Sequence, residues 1–376
     1  MNYPSFYQGD LFRSLIASEQ VDLQVIFAKR LTADRLQLRW EDDLHGYPYR
    51  FIDKRERMRD AIRLAWGQRR RIHIVNGIWA EPAFAAALTT LACAGSAYAI
   101  YSEAPEPDAR RSLTKRVLRT GLGRLLVARA NGVLAISRLA QAFYRRLGAP
   151  AQAIYPFGYF RSRARWQTAD AGANKAAVSE IIFAGQMITR KGLDLLIEAL
   201  QPICNEYPDV ILTLIGGGEL LPELQARVAA LGLGGRVFFE GSMAPENIPA
   251  RLATADLLVL PSRWDGWGVV VNEAFSVGVP VIASDQCGAA DIIHHKSNGY
   301  IFRSGDVTDL HACLRDFLNR KTDWLRLRAN ARMMGERIST EAVTPYLIEC
   351  LRHMMGHRDE RPVPPWSELP IAEGAD

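Results

Sequence analysis

Residues 257–284 read LLVLPSRWDGWGVVVNEAFSVGVPVIAS, and the fold follows from how this stretch is punctuated. Two short apolar runs, Leu257–Leu260 and residues 279–283, bracket a loop rich in glycine and tryptophan and then a short helix. A strand that runs through a loop into a helix presents free backbone N–H groups and a positive dipole end. That arrangement suits anions and sugar hydroxyls. Gly266 and Gly268 let the backbone approach a ligand closely, where a Cβ would obstruct it. Asp265 opens the loop and Glu273 follows eight positions later inside the helix, so each can accept hydrogen bonds from a different part of one ligand.

The same alternation fills the rest of the second half. Residues 180–184 (EIIFA) read as a strand, residues 185–192 (GQMITRKG) as its loop and residues 193–205 as a helix. Residues 209–215 form a strand that enters Gly216-Gly217-Gly218-Glu219, read as close backbone approach to a nucleotide. Residues 236–240 (RVFFE) and 298–302 (NGYIF) are further strands, with helices expected over 308–318, 323–337 and 344–355.

The first half is fainter. Residues 21–27 (VDLQVIF), 71–76 (RIHIVN), 97–101 and 132–137 (GVLAIS) read as strands, with a short one at 50–53. A basic helix is expected over 54–68 and a helix of small residues from Pro82. A doubly wound domain ordinarily begins with a strand, yet this chain starts almost inside the first loop. The first strand is then missing or short, or the gene start lies downstream of the usual one. Strands alternating with helices imply parallel sheets covered on both faces, with sites beyond the strand C-termini. Asn76, Trp79, Ser102 and Glu103 occupy such positions.

A chain of 376 residues implies two domains. No run of about twenty apolar residues occurs, so no transmembrane helix is expected, and the first residues lack the pattern of a signal peptide. Five scattered cysteines fit no metal or redox spacing and read as reduced thiols of a cytoplasmic protein. The net charge of +5 hides an asymmetry: residues 1–165 hold 27 Lys+Arg against 14 Asp+Glu, the remainder 19 against 27. The basic half is expected to meet something anionic, such as a membrane surface or a phosphorylated acceptor. Residues 109–129 carry seven arginines and lysines among leucines and valines. Such a helix either lies on anionic lipid or packs its leucines inward.

The loop at 265–273 resembles that of the retaining, nucleotide-sugar-dependent glycosyltransferases of family 4, which have the GT-B fold. In that family two acids with seven residues between them frame the donor site. The resemblance implies that Asp265 and the backbone of Gly266, Trp267, Gly268 and Val269 face the donor sugar, and that Glu273 faces the ribose. The family's usual first acid is Glu; Asp265 is one methylene shorter. The resemblance also assigns Lys191 to the donor diphosphate, with Arg190 restoring the charge that Gln186 lacks at the family's arginine position. Gly217 would approach the nucleotide and Glu240 would line the base pocket. The family's N-terminal glycine-rich loop is absent, and Glu103 stands about where many members carry a histidine.

The fold expected is therefore α/β, a GT-B architecture of two Rossmann-like, doubly wound parallel-sheet domains facing a cleft. The boundaries expected are 1–165 for a basic acceptor domain and 166–340 for the donor domain. Residues 341–357 would form a helix packing back on the first domain, and 358–376 a disordered tail. The reaction implied is transfer of a hexose-type residue from a nucleoside diphosphate sugar to an acceptor hydroxyl, with retention. No cofactor is expected, and no metal, since no Asp-x-Asp motif occurs. The acceptor expected is a saccharide or lipid-linked intermediate of surface polysaccharide or lipopolysaccharide assembly, on the inner face of the membrane, with no nucleic acid involved. A GT-B-fold nucleotide-sugar epimerase, a non-catalytic glycosyltransferase-like subunit and a Rossmann-type oxidoreductase remain as alternatives.

Overall fold

Isoleucine, valine, leucine and phenylalanine crowd the strands of the second half, and the computed structural model of the chain buries most of them completely. It describes residues 1–31, 42–52, 56–66, 70–106, 113–163, 179–320 and 323–367. Two compact units emerge, Met1–Phe160 with Thr340–Pro365, and Arg161–Ser339 joined by Trp366.

The second unit is one parallel sheet of six strands: β7 (Ser179–Ala184), β8 (Val210–Ile215), β9 (Val237–Gly241), β10 (Leu257–Leu260), β11 (Val281–Ser284) and β12 (Gly299–Phe302). Their order across the sheet is β12-β11-β10-β7-β8-β9. Continuous apolar runs such as LLVL and VIAS are what a parallel sheet covered on both faces demands. All residues of β10 and β11 are buried accordingly. The unit's first strand, β7, therefore sits beside its fourth, β10, with Leu258 opposite Ile182. The chain winds outward in both directions from that pair, so a crevice opens beyond their C-terminal ends, where ligands of such sheets bind.

The first unit holds β1 (Val25–Phe27), β2 (Tyr49–Phe51), β3 (His73–Asn76), β4 (Tyr98–Glu103), β5 (Gly132–Ile136) and β6 (Ile154–Phe157). β3 to β6 form a four-stranded parallel sheet in chain order, while β1 and β2 form a separate parallel pair. The strand expected over 21–27 is thus shorter. Only its three residues with alternating burial adopt the ladder, and they pair with β2 rather than with the larger sheet.

The helices α1 (Phe6–Ala17), α2 (Arg57–Ala65), α3 (Pro82–Ala94), α4 (Leu113–Arg129) and α5 (Ser137–Arg146) belong to this unit. α4 packs Leu126 and Val127 inward and leaves Leu125 exposed, while the Arg119 guanidinium lies 4.7 Å from the Trp79 ring centre. Gly123 is buried, and a Cβ there would be in ordinary contact with Leu147 and Trp79, so this glycine suits a packed helix face. Arg110 and Arg111 of the basic stretch lie outside the described residues, as do 164–178 of the expected linker and 368–376 of the expected tail.

The helices of the second unit are α6 (Leu193–Glu206), α7 (Leu221–Ala230), α8 (Ile248–Ala253), α9 (Val270–Ser276), α10 (Val307–Asn319) and α11 (Trp324–Arg337). The chain then returns to the first unit as α12 (Thr340–Met354), which meets α1 through a Thr344–Ser14 hydroxyl bond of 2.7 Å. Beyond it, the expectation of disorder fails for 358–367. Arg361 donates to the Ile154 carbonyl and lies over the Tyr155 ring, and Trp366 is 5% exposed. An aromatic residue and a stacking arginine give this proline-rich segment apolar area to bury, which its composition conceals. Among the described residues no helix is long and apolar enough to cross a membrane.

Candidate functional site

The loops that leave β7 and β10 meet beyond the strand ends. Gly192 makes that possible: it has φ +66°, and a Cβ there would overlap the Pro261 carbonyl. The Arg263 N–H donates to the Arg190 carbonyl at 2.8 Å. The Arg263 guanidinium adds a bidentate pair to Asp194 at 2.7 and 2.6 Å, a geometry that fixes orientation as well as distance.

Between these clamped loops Lys191 Nζ donates to Asp265 Oδ2, and Arg190 Nη1 lies 3.8 Å from Oδ1 of the same carboxylate. Arg190 also donates to the Trp264 carbonyl at 3.3 Å. Two cations and one carboxylate leave a net positive charge in front of the 14-residue helix α6, whose N-terminal dipole has the same sign. Chemically such a group can hold an anion and offers a carboxylate acceptor beside it. Residues 74 apart in sequence are thus joined, and Lys191, Arg190 and Asp265 act as one group.

The Gly266–Val269 stretch is held by the loop after β11. Gly288 N–H donates to the Asp265 carbonyl at 2.9 Å and Ala289 N–H to the Trp267 carbonyl at 2.7 Å. A Cβ at Gly288 would overlap the Gly266 carbonyl. Gly268 has φ +97°, and a Cβ there would come within 2.7 Å of Leu260 and 3.0 Å of the Cys287 sulfur. The Trp267 indole is 1% exposed and donates to Asn272 Oδ1 at 2.8 Å. Its ring anchors the loop from below, so what residue 267 can offer a ligand is its backbone. Gly288-Ala289-Ala290 reads from sequence as a tight turn into a helix, and sequence reading missed Asn272.

Glu273, on α9, is 6% exposed, and its Oε1 lies 3.3 Å from Nη1 of Arg161, itself 5% exposed. Burial pushes the Glu273 carboxyl up to about 7, against the opposing pull of Arg161. No pattern in the sequence singled out Arg161, which lies 112 positions away.

Gln186 and Gly217 sit on the loops that follow β7 and β8. Met187 N–H donates to the Gly217 carbonyl at 2.8 Å. Cβ atoms at Gly216 and Gly218 would run into the backbones of Gly185 and Met187. The glycine run, read from sequence as approach to a nucleotide, thus serves first to let two loops of the protein touch. Gly217 is the member with open surroundings, its ideal Cβ meeting Ser242 Oγ at 3.4 Å. Glu240 is exposed at the end of β9 and grips Arg251 at 2.8 to 3.1 Å. Arg251 also holds Glu180, so Glu240 belongs to an ion-pair network on the β9 edge. Glu103 lies in the first unit at the end of β4, where it accepts from the Tyr159 hydroxyl at 2.7 Å.

Comparison with known proteins bears on the family and the fold. Residues 167–334 match the family described as Glycosyl transferases group 1. The chain is 28% identical over 196 residues to an alpha-D-kanosaminyltransferase of Streptomyces kanamyceticus, covering 49% of this chain and 50% of that protein. It is 32% identical over 145 residues to a GDP-mannose-dependent alpha-(1-6)-phosphatidylinositol monomannoside mannosyltransferase of Mycolicibacterium smegmatis, covering 37% and 38%. The chain thus spans half or less of the length of these curated relatives. Among solved structures, Anabaena HepE in complex with UDP aligns with a TM-score of 0.71 at 17% identity, covering 94% of this chain and all of that one. The lipopolysaccharide outer core galactosyltransferase WaaB aligns with a TM-score of 0.70 at 16% identity, covering 92% and 94%. The chain therefore has the GT-B fold and, through its second unit, resembles the glycosyl transferases of group 1.

Proposed function

We propose that the protein is a retaining glycosyltransferase that moves a hexose-type residue from a nucleoside diphosphate sugar to an acceptor hydroxyl. The observation that carries the reading is the convergence of Lys191, Arg190 and Asp265 at the β7–β10 crevice. A diphosphate entering there exchanges the Lys191–Asp265 bond for phosphate contacts and frees the Asp265 carboxylate for a sugar hydroxyl. The backbone of Gly266 to Val269 orients the sugar, Gln186 and Gly217 approach the diphosphate and nucleotide, and Glu273 accepts from the ribose hydroxyls. As the bond between anomeric carbon and phosphate oxygen breaks, negative charge grows on the leaving diphosphate. Fixed cations stabilise it most at that moment. The acceptor oxygen bonds the anomeric carbon on the same face, its proton passes to the departing phosphate, and the nucleoside diphosphate leaves.

Lys191 and Arg190 supply the charge that a divalent ion would otherwise bring, so we expect turnover to survive chelation by EDTA. We assign Glu103, bonded to Tyr159, to the acceptor side, and read Glu240 as a shaper of the pocket rim through Arg251. The basic first half favours an anionic or lipid-linked saccharide acceptor, with the protein working at the cytoplasmic membrane face. The lipopolysaccharide galactosyltransferase and the phosphatidylinositol-mannoside enzyme among its likenesses support that choice.

The UDP complex of HepE and the GDP-mannose dependence of the mycobacterial relative name two bases to try first. Thermal-shift measurements with UDP, GDP, ADP and dTDP and their sugars, with NAD as control, fix the donor. The anomeric configuration of the product by NMR then tests retention. A shift with NAD alone sinks the reading.

A further inference from the structure

In the second unit the first strand, β7, lies mid-sheet between β8 and β10. The first unit has the corresponding order, β2-β1 on one side and β3-β4-β5-β6 on the other, with β1 and β3 unjoined. Matching the two units makes β1 a second strand, β2 a third and β3 a fourth. The central position falls between β1 and β3. A cavity of about 750 Å³ lies there, lined by Ile26 and Ile74 from the two strand edges and by Leu11 and Phe84 from helices α1 and α3.

The backbone points the same way. In a parallel ladder alternate residues bond to opposite neighbours. His73 N–H goes to the Ala97 carbonyl beside β4, so Ile74 turns its N–H and C=O toward the cavity. Val25 N–H goes to the Pro48 carbonyl beside β2, so Ile26 turns toward the cavity from the other side. All four residues of β3 are half-buried, whereas those of its counterpart β10 are fully buried. Met1 already makes one rung on this edge of β1: its amine donates to the Ile26 carbonyl at 2.6 Å, and its carbonyl accepts from Ala28 N–H at 2.9 Å. That amine is buried, and burial lowers it to about 5. A peptide nitrogen would lie there without the cost of a desolvated ammonium.

We infer that the slot between β1 and β3 seats a further parallel strand, apolar and about five residues long, that runs directly into Met1. The length follows from strand spacings of about 3.3 Å along, 4.8 Å between and 10 Å through the layer, or about 160 Å³ per residue. Apolar side chains are required because helices cover both faces of the slot. With that strand in place, residues 2–5 become the first loop beyond a central strand, the place that the Lys191 loop holds in the second unit.

Two fusions to the full chain test this: Val-Leu-Val-Leu-Val ahead of Met1, and a counterpart with proline at its second and fourth positions. Hydrogen exchange at the Ile26 and Ile74 amides is the readout. The apolar fusion should slow both by at least about tenfold and raise the melting temperature, while the proline fusion leaves both as in the unextended chain. Equal exchange in all three chains overturns the inference, as does protection of both amides in the unextended chain equal to that of β10. Intact mass of the protein isolated from its own cells tests continuity with Met1. A mass above 41.9 kDa by five residues or more supports it, and the mass of the 376-residue chain overturns it.

Discussion

Nη1 of Arg161 lies 3.3 Å from Oε1 of Glu273, and the two residues are 5% and 6% exposed. Arg161 is the first residue of the second unit, and its backbone bridges Ser339, the last residue before the chain returns to the first. The carboxylate proposed to hold the ribose is thus oriented by an arginine fixed where the chain enters and leaves the unit. Taking two charges out of water is costly, and their attraction offsets that cost only while the pair is intact.

Stability should fall as pH rises from about 4.5 to about 7 through Glu273. Its folded value is raised to about 7 from a usual 4.5, so the folded state holds the proton more tightly than the unfolded one. The contribution is fully present below 4.5 and lost by 7. At about 1.4 kcal/mol per unit it amounts to a few kcal/mol. Urea titrations at steps between pH 4.5 and 8 should show this slope in the wild type and its loss in Glu273→Gln. An unchanged slope in the variant assigns the pH dependence elsewhere.

Arg161→Ala should cost about 3–5 kcal/mol, because it leaves a buried carboxylate without its partner. Replacing both residues, Arg161→Met with Glu273→Leu, should recover most of that loss while abolishing donor binding. Denaturant unfolding with nucleoside diphosphate titration separates the two effects. A double variant that still binds donor removes Glu273 from the ribose assignment.

The sequence was most legible where function and local geometry coincide. Asp265, its glycines and Glu273 sit within nine residues of one another, so their spacing groups them, while Lys191 and Arg190, which share one loop, stand out through the family resemblance. Arg161 is hidden because its partner, 112 positions away, is decided by the fold and not by a local period, and Asn272 because its near neighbour Trp267 turns its ring into the core. Trp267 is legible only in part: its ring is buried and gives its N–H to Asn272 in the core, which leaves its backbone to serve the loop. The strands of the second unit were clear because burial on both faces makes continuous apolar runs. β1 and β2 were faint because three-residue ladders carry little periodicity.

Lys191→Ala should lower turnover about 10²–10³-fold, the loss expected when one fixed charge facing a developing anion is removed. Its effect on folding should be small, since Arg190 remains beside Asp265. Lys191→Arg should recover part of the turnover. Steady-state kinetics beside thermal denaturation checks both. If turnover survives Lys191→Ala, the diphosphate is held elsewhere.

The three adjacent glycines should respond differently to alanine. At Gly216 and Gly218, φ is +130° and +156°, and a new Cβ meets the Gly185 and Met187 backbones, which cannot retreat as a side chain can. Both variants should be destabilised by about 2 kcal/mol or more, since strain and backbone overlap act together. Gly217 has neither problem, so Gly217→Ala should fold with nearly wild-type stability. If its backbone faces the nucleotide, that methyl group should raise the donor KM several-fold while kcat changes little. Thermal denaturation and donor-dependent kinetics on the three variants give the answer. A Gly217→Ala enzyme with unaltered donor KM confines the glycine run to loop packing.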